Sequence, residues 1–150
     1  MSVRIAVISD THGVLRPEVR QAVEGCDCIF HGGDIGDESI LAELRKIAAV
    51  YAVYGNNDTG PWAEELGREL TVQLEGYRFY MIHNQKEQSA KVEGADFAIY
   101  GHSHQYASEM RGNTLWLNPG SCGRRRFALP LTFAMLELTG GGYRLQRREI

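Results

Sequence analysis

Three short apolar runs, Val3–Ser9, Cys28–His31 and Ala49–Tyr54, limit the possible folds of this chain more than any other feature. The first, VRIAVIS, is β-branched and mostly apolar, as expected of a strand buried on both faces. Between the runs lie helical stretches with their own punctuation. Pro17 opens and Gly25 closes a helix over Pro17–Glu24, and Ser39 caps a second helix that runs to about Ile47. The order β-α-β-α-β predicts a parallel sheet with right-handed crossovers. The pattern then changes. Glu69–Leu74 and Arg78–Ile82, joined by Glu75-Gly76-Tyr77, predict an antiparallel hairpin. Ser89–Val92 predicts a short helix and Phe97–Tyr100 a further strand. Two more strand pairs follow, Ala107–Met110 with Thr114–Leu117 and Leu131–Leu138 with Tyr143–Arg148, the last around Gly140-Gly141-Gly142. The expected architecture is one mixed α/β domain over residues 1–150, with two sheets face to face and helices outside.

At 150 residues such a chain buries about two thirds of its unfolded surface. An apolar fraction of 43% and a charged fraction of 23% are those of a globular protein, which argues against disorder. A net charge of −3 gives no sign of a surface built for nucleic acid or anionic membrane. No apolar run approaches the roughly 18 residues of a membrane-spanning helix, and no signal-peptide core precedes the first strand. Three cysteines, an odd number without an export signal, predict reduced thiols in a cytoplasm. Cys26 and Cys28 are expected to pack at the start of a strand, and Cys122 is assigned no chemistry. A homo-oligomer is left open.

Five stretches carry metal-binding side chains: Asp10-Thr11-His12, Gly33-Asp34, Gly55-Asn56-Asn57-Asp58, His83, and Gly101-His102-Ser103-His104. They hold four of the five histidines, and each follows a predicted strand. Ligand sites in open α/β sheets gather beyond the carboxyl ends of parallel strands, so residues remote in sequence can meet there. Any one fragment is weak: a lone Asp-x-His is usually a turn or helix cap. All five in order, each behind a strand, would require several independent coincidences. Two divalent cations and an activated water are the natural occupants, and hydrolysis of a phosphate ester is the natural reaction.

The ordered series resembles the calcineurin-like metallophosphoesterase family, whose pattern is D-x-H, GD, GN-x-(D/E), H and GH-x-H. The match spans Asp10 to His104, and Asn118-Pro119-Gly120-Ser121 resembles a segment of the small, prokaryotic-type phosphodiesterase branch. The resemblance implies a four-layer α/β/β/α sandwich. By motif position it implies that Asp10, His12, Asp34 and His104 hold one ion and that Asp34, Asn56, His83 and His102 hold the other, with Asp34 bridging. It implies a small phosphodiester as substrate, with hydrolysis by a hydroxide shared between the ions. Two such ions, two carboxylates and one hydroxide leave a residual positive charge that favours an anionic ester. The imidazole-rich donor set suits Mn²⁺, Fe²⁺, Ni²⁺ or Zn²⁺, and the resemblance points to manganese. A phosphomonoesterase and a non-catalytic scaffold, as in a retromer trafficking subunit of the same fold, are the alternatives. That subunit lacks some of the ligand histidines kept here.

Where many family members place a histidine after the motif asparagine, this chain has Asn57. An amide donates a hydrogen bond but supplies no proton at neutral pH, so Asn57 is expected to contact substrate and activated diesters to be favoured. Asp58 is expected to hydrogen-bond behind the ligands. Asn84 stands where the family has glycine, as the next residue most tolerant of positive φ. His31 is expected to support or pack, Asp37 to start a helix, and Trp62 to lie at the core edge. One arginine of Arg124-Arg125-Arg126, here assigned as Arg124, is expected to meet the substrate phosphate.

Overall fold

The computed structural model describes residues 2–126 and 128–150. Among them, ten strands form two five-stranded sheets. In the first, β1 (Val3–Ile8), β2 (Cys28–His31) and β3 (Ala49–Ala52) run parallel. Connected by α1 (Pro17–Val23) and α2 (Glu38–Arg45), they are extended on the β1 side by antiparallel β9 (Thr132–Thr139) and β10 (Gly142–Glu149). A one-turn helix, α3 (Pro61–Glu64), leads to the second sheet. There β4 (Glu69–Leu74) and β5 (Tyr77–Ile82) form the expected hairpin. Beside it lie β6 (Phe97–Ile99), β8 (Thr114–Asn118) and β7 (Ala107–Arg111), with β5, β6 and β8 parallel.

Successive side chains of a strand face opposite sides, and β1 shows the result. Ile5 and Val7 enter a core between the sheets, opposite Phe79, Met81, Phe97, Ile99, Leu115 and Leu117. Ala6 and Ile8 enter a second core with Val19, Val23, Leu41 and Leu44 of the helices. Tyr80, Ile82, Ala98 and Trp116, on the outer face of the second sheet, are covered chiefly around Ala95 and Val92. This outer layer is thin, consisting of the 3₁₀ turns Gln85–Glu87 and Ala90–Val92. The four layers are as expected, the last reduced to short turns.

Local differences have simple causes. Asp37, not Ser39, caps α2, and its carboxylate accepts the Ser39 N–H at 3.2 Å. Asp at the N-cap competes well with Ser, and here it stands one residue before the helix. Asn84 adopts φ −107°, so it carries no left-handed backbone and instead caps the following 3₁₀ turn. Trp62 packs at the edge of the helical core, and Cys122 is fully buried there.

Candidate metal centre

The parallel strands of both sheets point their carboxyl ends to one edge, where the loops after β1, β2, β3, β5 and β6 meet. Backbone bonds join the first two of these loops: Asp10, His12 and Gly13 donate to the carbonyls of Gly33, Asp34 and Ile35 at 2.9, 2.9 and 2.7 Å. Non-glycine residues with positive φ concentrate here. Asp10, His12, Asp34, His102 and His104 have φ of 55°, 48°, 55°, 76° and 66°. Left-handed backbone is uncommon outside glycine, and its clustering at candidate ligands marks a site held in shape by its surroundings. Glycines make the close approaches possible. A Cβ on Gly55 would strike the Asp34 carboxylate, and one on Gly101 would strike Ser9 Oγ and the Asp10 carboxylate.

The donor atoms converge. Asp10 Oδ2 accepts Ser9 O–H at 2.7 Å and His102 N–H at 3.2 Å, which leaves Oδ1 for the site. Oδ1 lies 3.4 Å from His104 Nε2, 3.7 Å from His12 Nε2 and 4.0 Å from His83 Nε2. The Nε2 atoms of His12 and His104 are 3.2 Å apart. Asp34 Oδ2 lies 3.2 Å from His83 Nε2 and 3.7 Å from His12 Nε2. His83 Nδ1 sits 2.8 Å from the Gly32 carbonyl, which can only accept; the ring proton is therefore on Nδ1, and Nε2 turns a lone pair inward. Asp10 with His12 and His104, and Asp10 with Asp34 and His83, form two groups able to hold a metal ion.

Two observations test the fit of cations. Among the described residues Asp10 Oδ1 and His83 Nε2 are buried without a hydrogen-bond partner, as is His104 Nδ1 on the far side of its ring. Such orphaned atoms are costly unless something absent from the polypeptide satisfies them. Bonds of about 2.1 Å put neighbouring ligands about 3.0–3.4 Å apart around one ion, close to the shorter separations here. The carboxylates are primed for cations too. Burial works to raise Asp10, but the rings of His104, His12 and His83 hold it well below the usual carboxylate range. Asp34 is likewise lowered, since His83 and the Asn57 N–H outweigh its burial. The Asp10 carboxylate raises His12, and Asp34 raises His83 against the effect of burial.

The remaining candidates surround this cluster. Asn56 and His102 are exposed, and the His102 ring stands edge-on to His83 with centroids 5.3 Å apart. Asn57 grips Asp34, its backbone N–H donating to Oδ1 at 2.9 Å and its amide to Oδ2 at 3.2 Å. His12, Asp34, Asn56, Asn57, His102, His104 and Arg126 line a cleft of about 180 Å³. Arg126 is the arginine lining this wall; Arg124 and Arg126 are both exposed, and the Arg124 carbonyl shares the Ser121 O–H, at 2.9 Å, with the Asp10 carbonyl.

Supporting residues tie the loops together, and Asp58 sits behind the candidate ligands as expected. Asp58 accepts the N–H groups of Ile35, Gly36 and Gly55 at 3.0, 2.9 and 2.9 Å, tying the loop after β2 to the loop after β3. Asn118 Nδ2 donates to Gly101 O and Ser103 Oγ, and Ser121 Oγ donates to Asp10 O. The Asn118–Ser121 segment thus braces the loops carrying His102, His104 and Asp10.

Residues 3–141 match the calcineurin-like phosphoesterase superfamily domain. The chain is 28% identical to a phosphodiesterase of Methanocaldococcus jannaschii, over 94% of this chain and 96% of that protein. It is 34% identical to a probable metallophosphoesterase of Methanothermobacter thermautotrophicus, over 78% and 76% of the two. Among solved structures, vacuolar protein sorting 29 of Cryptosporidium parvum superimposes with a TM-score of 0.79 over 99% and 98% of the chains. At 18% identity that likeness concerns the fold alone.

Proposed function

The chain belongs to the calcineurin-like phosphoesterase superfamily, and from that premise we propose that it is a phosphoric ester hydrolase acting on a small phosphodiester with two divalent transition-metal ions. The observation that carries this reading is the group of inward-facing donors around Asp10 Oδ1 and His83 Nε2, buried and unsatisfied by the protein itself. A non-catalytic scaffold on the same fold is the alternative, and activity, not metal content alone, separates the two.

In this reading Asp10, His12 and His104 hold one ion, while Asn56, His83 and His102 hold the other. Asp34 would serve both ions, a role supported by its Oδ2 lying 3.7 Å from His12 Nε2 and 3.2 Å from His83 Nε2. Bound there, two cations supply a hydroxide nucleophile at neutral pH and positive charge for the pentacoordinate phosphorus. Manganese is the first candidate, with Ni²⁺, Fe²⁺ or Zn²⁺ able to serve. The protein's own contribution is to hold these donors rigid and the ester oriented. Asn57 keeps Asp34 in place and offers a hydrogen bond at the cleft, and Arg126, in place of Arg124, presents a guanidinium to a phosphate oxygen. Asn57 supplies no proton, so diesters with good leaving groups are preferred over monoesters. A cytoplasmic setting, where Cys26, Cys28 and Cys122 stay reduced, completes the reading. Among the described residues no helix is long and apolar enough to cross a membrane.

The test combines composition with activity. Purified protein is expected to carry close to two transition ions per chain. With Mn²⁺ it is expected to hydrolyse bis(p-nitrophenyl) phosphate faster than p-nitrophenyl phosphate. Asp34→Asn is expected to lower the diester rate at least about 100-fold, beyond the usual effect of a residue that only supports a ligand. An unchanged rate in that variant, or a protein that takes up no metal, overturns the proposal.

A further inference from the structure

A second cleft adjoins the metal centre, sharing Asn56 and His83 with it and extending away over residues that no role above involves. It measures about 210 Å³ and is lined by Tyr54, Asn56, Arg68, His83, Asn84 and Glu87, among others. Asn56 lines both clefts and His83 belongs to the metal group, so anything held between them has one end beside the candidate ions. Beyond Tyr54 and Arg68, which line both spaces, it continues into an open cleft of about 360 Å³ near Gly60 and Ala63.

The walls are tied together. Tyr54 N–H donates to Gly67 O at 3.1 Å, which sets Tyr54 beside the segment carrying Arg68. The Arg68 guanidinium donates to Glu87 O at 3.3 Å and stands 3.8 Å from Glu87 Oε1. Glu87 closes the 3₁₀ turn that Asn84 caps directly after His83. The lining thus includes one residue with a phenol ring, Tyr54, and one with a planar guanidinium, Arg68. Because Glu87 offsets the Arg68 charge, a second anionic group gains little here. A neutral planar ring suits it better: aromatic rings stack on tyrosine and on guanidinium planes. The size agrees, since about 150 Å³ accommodates a benzene ring.

Building on the phosphodiesterase reading, we propose that this cleft binds the planar ring of one ester arm, aryl or nucleobase, against Tyr54 and Arg68 while the phosphate lies beside Asn56 and His83. The chain is then selective for diesters with at least one aromatic arm.

The test uses non-hydrolysable anions on Mn²⁺-loaded protein, by isothermal titration calorimetry. Wild type is expected to bind phenylphosphonate about tenfold more tightly than methylphosphonate. Arg68→Met and Tyr54→Leu are each expected to reduce that preference to within twofold while leaving methylphosphonate affinity unchanged. A variant that keeps the preference, a wild type without one, or binding of neither anion overturns the proposal. Because the titration involves no turnover, it reads the cleft even if the chain hydrolyses no diester. Conversely, hydrolysis without a phenyl preference sinks the cleft alone. Titrating thymidine 5′-methylphosphonate beside phenylphosphonate in the same variants tells a nucleoside source from an aryl source: the ligand whose affinity falls in Arg68→Met and Tyr54→Leu carries the arm the cleft takes.

Discussion

His31 shows how one buried side chain can organise a site it does not enter. It accepts the Gly33 N–H on Nδ1 at 3.1 Å, so its proton sits on Nε2, which faces Thr11 Oγ1 at 3.0 Å. Thr11 in turn donates to Ile35 O at 2.8 Å, linking the loops of Asp10 and Asp34 through a neutral imidazole. Burial pushes the His31 pKa down to about 4. The unfolded histidine, near 6.5, binds protons that the folded one refuses, so this contribution is complete above about pH 6.5 and is lost as pH falls toward 4. Its size is about 3 kcal/mol. In metal-free protein the raised His12 and His83 act with the opposite sign, giving stability at low pH that fades as pH rises. Urea unfolding of wild type and His31→Gln between pH 7 and 4.5 separates these effects. Wild type is expected to lose stability more steeply on acidification; equal slopes would refute the account. The expectation that His31 supports or packs agrees with this, but residue type alone could not show that five candidate ligand positions take left-handed backbone, because Asp and His adopt both signs of φ.

At the scale of elements, the site depends on how loops are fastened to one another. Asp58 fixes the loop after β2 against the loop after β3 through three backbone N–H groups. Asp58→Ala strips those donors of their acceptor and frees Asp34 and Asn56 to move apart. Metal affinity is expected to fall about 10–100-fold, read by calorimetric titration with Mn²⁺, with the secondary structure intact by circular dichroism. Unchanged affinity would show that the loops hold without it. The parallel strands were legible because continuous apolar, β-branched runs mark strands buried on both faces, and so were the candidate ligand positions behind them. Other features were not. Nothing local placed β8 between β6 and β7, since sheet order is set by tertiary packing. The single turn α3 is too short to show helical periodicity. Arg126 rather than Arg124 lines the cleft because the direction of a loop side chain depends on backbone geometry that a run of three arginines does not reveal.

The whole molecule is held by one apolar layer that both sheets share. Ile5, Val7 and Phe30 from one sheet interleave with Phe79, Met81 and Phe97 from the other, so neither sheet keeps its core without its partner. Residues 1–150 are accordingly expected to unfold in a single calorimetric transition. Cations that bind only the folded chain raise that transition: at 100 times Kd the gain is about 2.7 kcal/mol, or roughly 5–10 °C at this size. Scanning calorimetry before and after chelation checks both statements, and two resolved transitions would divide the chain.

The left-handed angles at Asp10, His12, Asp34, His102 and His104 carry a further consequence. At about 1 kcal/mol each, they take roughly 5 kcal/mol from a fold whose total stability is of the order of 10. Glycine at any one of them would relieve that strain and at the same time remove a candidate metal donor, so stability and metal binding pull in opposite directions at this edge of the sheets.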